Sequence, residues 1–355
     1  MHVCLRFVRT SSFSAVLWLA LAGAGCQPVH FYYQAINGQL EIATKAEKIN
    51  DILSDSAASK ELKTQLIKVR TISDFAKTNL GLKKNQSYND FVDLNRPFVV
   101  WNVVATPEFS FSPEEWCFPI AGCVNYRGYF SKSDAISFAK KQRERNLDAV
   151  VLGVTAFSTL GWFNDPVLST FSSYSDIHLV RILFHELAHQ IVYIRGDTTF
   201  NESFAVSVEK KGVELWLREK GSPEDIQSWL DYQKAKKIFL NFMEKERLRL
   251  RGVYESQRSA TQKRREKQNI IMEMHREFAL LKKNVPIMQK YSNFFDQPIN
   301  NAVFASLKSY SGLVPFFDKL LEENDNLQSF ILEVKQMQNM SENDRQAFIN
   351  SSNHD

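Results

Sequence analysis

Residues Arg181 to Gln190 read RILFHELAHQ, and within them His185, Glu186 and His189 form an H-E-x-x-H string. On a helix of 3.6 residues per turn, positions four apart share a face, so the two imidazoles can grip one metal ion. Glu186, rotated from His185 by about 100°, reaches a water held beside that metal. The pattern predicts a zinc site in which a carboxylate acts as general base on water that attacks a peptide carbonyl.

Two histidines do not complete such a site; a third protein ligand is needed, with the fourth position left open. Downstream comes YIRGDTTFNESFAVSVEKKGVELWL, from Tyr193 to Leu217. Gly196 and Asp197 are stop and turn signals, and Thr198 or Thr199 is placed to cap a second helix. That helix carries Glu202 and Glu209 seven residues apart, hence on one face, and the rise per residue alone does not choose between them. Each has a plainer reading: Thr199-x-x-Glu202 fits a capping box, and Glu209 beside Lys210 and Lys211 fits a solvent-facing carboxylate. Gly212, inside the helical run, costs about 1 kcal/mol relative to alanine and predicts close helix packing.

The N-terminus reads as an export signal. Arg6 and Arg9 precede SSFSAVLWLALAGAG, an apolar run too short for a comfortable membrane span, so residues 1–25 are expected to be a signal peptide. The run stops at Cys26 in LAGAGC, which resembles a bacterial lipobox, although Gly23 stands where Leu, Val or Ile is usual. Lipidation of Cys26 would hold the chain in the cell envelope facing the periplasm, and Gln27, rather than Asp, favours the outer membrane. Cys4 leaves with the signal, and Cys117 and Cys123 remain, an even pair expected to form a disulfide in an exported protein. A loop closed by so few residues would shape a local turn more than stabilise the domain.

Without Arg6 and Arg9 the formal charge falls from +4 to +2, too near neutral for a nucleic-acid binder. A hydrophobic content of 44% and an aromatic content of 12% fit a packed enzyme rather than a disordered chain. The expected organisation is one α+β, helix-rich domain over residues 26–345 with a small mixed sheet. A helical part spans about 40–90, a sheet region about 97–160, the two metal helices about 174–218, and a helical part about 220–340. Pro97–Phe111, Val124–Phe130 and Leu147–Ser158 read as strands, and Ser131 as the N-cap of a helix of about 14 residues. Tyr254–Lys283 reads as a long charged helix whose KRREK string is a solvated face, and the chain after Met340, including the polar tail 346–355, is expected to fray.

HELAHQ followed by NESFA resembles the gluzincin arrangement, in which the Glu of an N-E-x-x-A string is the third ligand. Aminopeptidase N-type enzymes carry very similar strings, but here only 12 residues separate His189 from Glu202. A closer similarity is to the bacterial family named "putative aminopeptidase", small exported lipoproteins. It extends through YYQAINGQLEI (32–42), CFPIAGCVNYRGYF (117–130), STLGWFNDPVLSTF (158–171) and NNAVFASLKSYSGLVPFF (300–317). The resemblance implies a zincin-like fold, one zinc ion on His185, His189 and Glu202, Glu186 as base, and peptides as substrates. It places Glu209 on the outer nitrogen of a ligand histidine. The G-x-M-E-N string that holds a substrate's free amine in aminopeptidase N-type enzymes is missing, so Asp165 and Glu209 stand as candidates for that task.

Asn201 and the tyrosines Tyr126, Tyr193 and Tyr310 are candidates for contacts to ligands, substrate or a developing oxyanion. For each tyrosine a buried ring with a satisfied hydroxyl is the plainer reading. Arg127 is read as a salt-bridge former or a clamp for a substrate carboxylate, and His178 as a packing neighbour of the motif. His30, His275 and His354 have no partners in sequence. Two rival functions remain, a zinc endopeptidase acting on envelope proteins or cell-wall peptides and a non-catalytic envelope lipoprotein; an intact Glu186 argues against the second. The sequence leaves the oligomeric state open.

Overall fold

The computed structural model describes residues 26–119, 121–309 and 312–352. The expected signal segment, Tyr310 and His354 therefore lie outside the described residues, as does the side chain of Cys26. Among the described residues no helix is long and apolar enough to cross a membrane.

The central sheet is antiparallel, with β3 (Val100–Pro107) between β6 (Arg127–Tyr129) and β7 (Leu147–Val154). In β3 the alternation of side chains sends Trp101, Val103 and Ala105 to one face, where they pack on Ala135, Phe138 and Ala139. Those three come from α4 (Lys132–Glu144), whose N-cap is Ser131, accepting from the Asp134 amide as expected. On the opposite face Val104 and its cross-strand partner Val150 join a second core. The rest of that core comes from the hairpin of α7 (Pro223–Tyr254) and α8 (Ala260–Asn284), and from α9 (Asn301–Ser309). A further sheet is small and mixed, with β2 (Asp90–Val92) antiparallel to β1 (Glu47–Lys48) and parallel to β8 (Val167–Leu168). The expected small mixed sheet is thus divided between two three-stranded sheets and a hairpin.

Two long helices form the other half of the molecule. The H-E-x-x-H helix α5 (Asp176–His189) and α6 (Thr198–Lys220) pack along their length. Leu179, Val180, Leu183, Phe184 and Leu187 leave the buried face of α5 almost without exposure. They meet Leu66, Val69, Ile72 and Ala76 of α3 (Lys60–Asn79), and Phe200 and Phe204 of α6. Burying each such side chain contributes roughly 1.5–3 kcal/mol. A Cβ on Gly212 would stand 2.3 Å from the Phe184 ring, so glycine is what lets the two helices approach.

Three expectations change. The cap of α6 is Asp197, whose carboxylate accepts from the Phe200 amide, so neither threonine caps the helix and Glu202 belongs to no capping box. The KRREK string is not simply a solvated face: Arg264 pairs with Glu108, and the buried Lys267 with Asp148 of β7, clamping α8 to the sheet. Through residue 352 the C-terminal stretch is helical rather than frayed. It forms α12 (Glu342–Ser352), because Ile349 is buried and Arg345 lies over the Phe200 ring and pairs with Asp197.

Candidate metal centre

His185 and His189 project from the C-terminal half of α5, one helical turn apart, with ring centroids 4.9 Å apart and planes nearly perpendicular. Glu202, in the second turn of α6, faces both. Its Oε2 lies 3.3 Å from His185 Nε2, and its Oε1 lies 3.8 Å from His189 Nε2. One ligand atom from each falls within 4.8 Å of the others, and this is the sole such group among the described residues. Tetrahedral zinc with bonds of about 2.0–2.1 Å separates its ligands by roughly 3.3 Å, so the spacing and the two-nitrogen, one-oxygen donor set suit that ion. Glu202 Oε2 is buried without a well-aligned hydrogen bond, a costly state for a carboxylate oxygen unless a cation completes it.

The loop between the helices is set by polar contacts. The Asn201 amide group accepts from the Ile194 amide and donates to the Ile194 carbonyl, both at 2.7 Å, so it fixes the turn into α6 rather than touching a ligand or substrate. Gly196 has φ +88°, a conformation other residues rarely adopt. Gly122 packs on Arg195 and Gly196, where a Cβ would meet atoms at 2.4 and 2.9 Å. Gly122 belongs to the hairpin of β4 (Trp116–Phe118) and β5 (Gly122–Val124), in which Cys117 and Cys123 stand opposite each other and form the expected disulfide. Phe118, Pro119, Ala121 and Val124 of this hairpin line the cavity over the metal helices.

Glu209 lies two turns beyond Glu202 on α6. Its Oε2 stands 3.2 Å from His185 Nδ1, while Oε1 accepts from Arg181 at 2.8 Å. It does not point to solvent, and its carboxylate is shared by these two partners. Arg181, one turn before His185, also stacks 4.2 Å from the Tyr232 ring centroid. The spacing in RILFHELAHQ could have flagged Arg181, since it occupies the same face as the motif.

The field inside this cluster is uneven. Burial pushes His185 down, but contact with Glu202 and Glu209 outweighs it and holds the imidazole up at about 10. His189, where burial prevails and His185 adds repulsion, falls to about 4. Burial, reinforced by the negative charge of Glu202, Asp165 and Glu209, raises Glu186 to about 8 against the pull of His185. Burial works against ionised Glu209, but Arg181 and His185 prevail and take it to about 2. Glu202 at Nε2 and Glu209 at Nδ1 hold the positive charge of His185 from opposite sides of its ring.

Asp165 is placed elsewhere. Its carboxylate accepts from the Thr159 amide, the Ser158 hydroxyl and the Gln190 amide group, which ties down the 158–165 loop, and Asp165 is buried away from the cavity lining. Tyr126 and Tyr193 line the cavity, and burial together with nearby Glu202 holds both phenols protonated. The Arg127 guanidinium lies over Phe31 and Phe138, 4.1 and 4.6 Å from their centroids, so it serves packing and neither of its expected roles. His178 meets Tyr174, Tyr232 and the Ser175 hydroxyl, in keeping with a packing role.

The cavity over the cluster has a volume of about 1010 Å³. Tyr32 and Ile36 from α1 (Cys26–Lys45) and Trp162 and Phe163 of the 158–165 loop are among its lining residues, and all four are well exposed. A family model described as "Putative aminopeptidase" matches residues 30–349. The chain belongs to that family. The match takes in the sheet, both metal helices and the C-terminal helices, so the family's extent is that of the fold and not of one motif. No curated protein and no solved structure matches the chain.

Proposed function

We propose that the chain is a zinc-dependent peptidase that hydrolyses peptides, with the aminopeptidase activity its family name suggests. The observation that carries this is the convergence of His185, His189 and Glu202 on one point, with Glu186 beside it at the floor of a large cavity. His185, His189 and Glu202 would hold the ion. Zinc, when bound, supplies a Lewis acid that polarises the scissile carbonyl and makes water a better nucleophile near neutral pH.

The remaining work falls to the chain's own groups. Glu186 accepts the proton of the attacking water and passes it to the leaving amine, a task suited to a buried carboxylate with raised proton affinity. Glu209 orients His185 by accepting at Nδ1. Tyr126, kept protonated, donates to the developing oxyanion, whereas the Tyr193 hydroxyl donates to the Ala121 carbonyl. The apolar walls exclude water and receive bulky side chains.

Export with lipidation at Cys26 completes the reading, supported by the disulfide, which forms in oxidising compartments. Metal content of the mature protein tests the whole, measured beside Glu202→Ala and Glu186→Gln. Near-stoichiometric zinc in the parent and in Glu186→Gln, lost in Glu202→Ala, with peptide hydrolysis confined to the parent, is the expected result. Folded protein that takes up no zinc would overturn it.

A further inference from the structure

The charges lining the cavity are unequally committed. Its carboxylates, among the described residues, are Glu186, Glu202 and Glu209. Glu202 lies between the imidazoles, Glu209 is held by Arg181 and His185, and Glu186 is the proposed base. Among the cations, Arg181 is committed to Glu209 and to the Tyr232 face.

Lys236 differs from all of these. It follows Tyr232 by one turn of α7 and lines the same cavity, half-buried. Its Nζ forms no ion pair or hydrogen bond with a described residue; its recorded contact is with the Tyr232 ring, 6.0 Å to the centroid. Burial pulls its proton affinity down, Arg181 and Lys210 add repulsion, and Glu209 and Asp318 oppose that only in part. Since Glu209 already serves two partners, the cavity holds one ammonium more than its neighbours compensate. An uncompensated charge in a half-buried site is costly unless a ligand supplies the counter-charge.

We infer that Lys236 anchors a carboxylate of the bound peptide. Arg181 and His185 are separated by one turn of α5, about 6 Å along the axis, and Lys236 shares the Tyr232 ring with Arg181. The substrate class is a peptide with bulky apolar side chains that presents a carboxylate within the cavity, either its own C-terminus or an acidic side chain. This rests on the peptidase reading for the nature of the ligand, but the free cation is a property of the cavity alone.

Calorimetric binding to zinc-loaded Glu186→Gln full-length protein tests it without turnover. The probes are a tri-leucine peptide as free acid, the same peptide as C-terminal amide, and an amide with glutamate in the last position. The free acid is expected to bind at least about tenfold more tightly than the amide, the scale of one charge-assisted contact. Lys236→Met is expected to abolish that preference, while Lys236→Arg, which keeps the charge, retains it. The glutamyl amide binding like the free acid assigns recognition to any carboxylate; binding like the plain amide assigns it to the C-terminus. Equal binding of acid and amide, or an acid preference that survives Lys236→Met, overturns the inference. Incubating wild-type enzyme with the same peptides separates the two readings. An acid preference without hydrolysis removes the peptidase and leaves the anchor, whereas hydrolysis without an acid preference does the reverse.

Discussion

Replacing Glu209 by glutamine keeps the side-chain volume and removes one charge from a buried ion pair beside the candidate metal centre. Arg181 and Glu209 are 2.8 Å apart, with side chains only 18% and 8% exposed. Breaking a buried pair from one side typically costs 3–5 kcal/mol, and because the glutamine carbonyl still accepts from Arg181, about 3 kcal/mol is expected here. The same change weakens the acceptor facing His185 Nδ1, and the loss of such an outer partner lowers metal affinity by about 10- to 100-fold. Urea unfolding of metal-free protein measures the first effect, and competition with a chromophoric chelator the second. The double replacement Arg181→Met with Glu209→Leu separates them: it removes both buried charges and is expected to restore stability while leaving zinc affinity low. Recovery of zinc affinity in the double variant, or affinity within about twofold of the parent in Glu209→Gln, would refute the claim that Glu209 orients His185.

Other outcomes follow from single contacts. Gly212→Ala forces a methyl group into the Phe184 ring and should destabilise by about 1–3 kcal/mol, read from the unfolding midpoint. Trp162→Ala and Phe163→Ala, at exposed positions on the cavity rim, should raise KM for apolar peptides while leaving stability within about 0.5 kcal/mol; unchanged kinetics would remove the 158–165 loop from the substrate path. Glu41 is held below the usual carboxylate range: burial opposes ionisation, but Lys45 and Arg96 outweigh it. A carboxyl lowered on folding stabilises above its unfolded pKa and loses that contribution as pH falls through the folded one. The stability difference between wild type and Glu41→Gln should therefore shrink between about pH 6 and pH 3, and a difference that does not change with pH would contradict the pairing.

Much of the centre was legible because it is local. His185, Glu186 and His189 lie within one and a half turns of a single helix, so their shared face follows from helical period, and the burial of Leu183, Phe184 and Leu187 follows from the same period. The Ser131 cap and the pairing of Cys117 with Cys123 are likewise short-range. Asp197 displaced Thr198 and Thr199 as the cap of α6 because three adjacent residues could all accept the same amides, and only the course of the incoming loop selects among them. The C-terminal helix was missed for a related reason. Its polarity hides the few contacts, Ile349 in the core and Arg345 over Phe200, that order it.

What the sequence determined by itself was that His185, Glu186 and His189 sit within little more than one turn of a single helix, the arrangement on which the proposed chemistry rests. Its own periodicity left Glu202 and Glu209 equivalent, seven residues apart on one face. The packing of α6 on α5 made them different, turning Glu202 toward the front of both imidazoles and Glu209 toward the back of one. Long-range contacts also withdrew Asp165 and Arg127 from the cavity and brought Lys236 into it. A helix repeat constrains neighbours only within a few turns, so which charge meets which across different elements is decided when those elements pack.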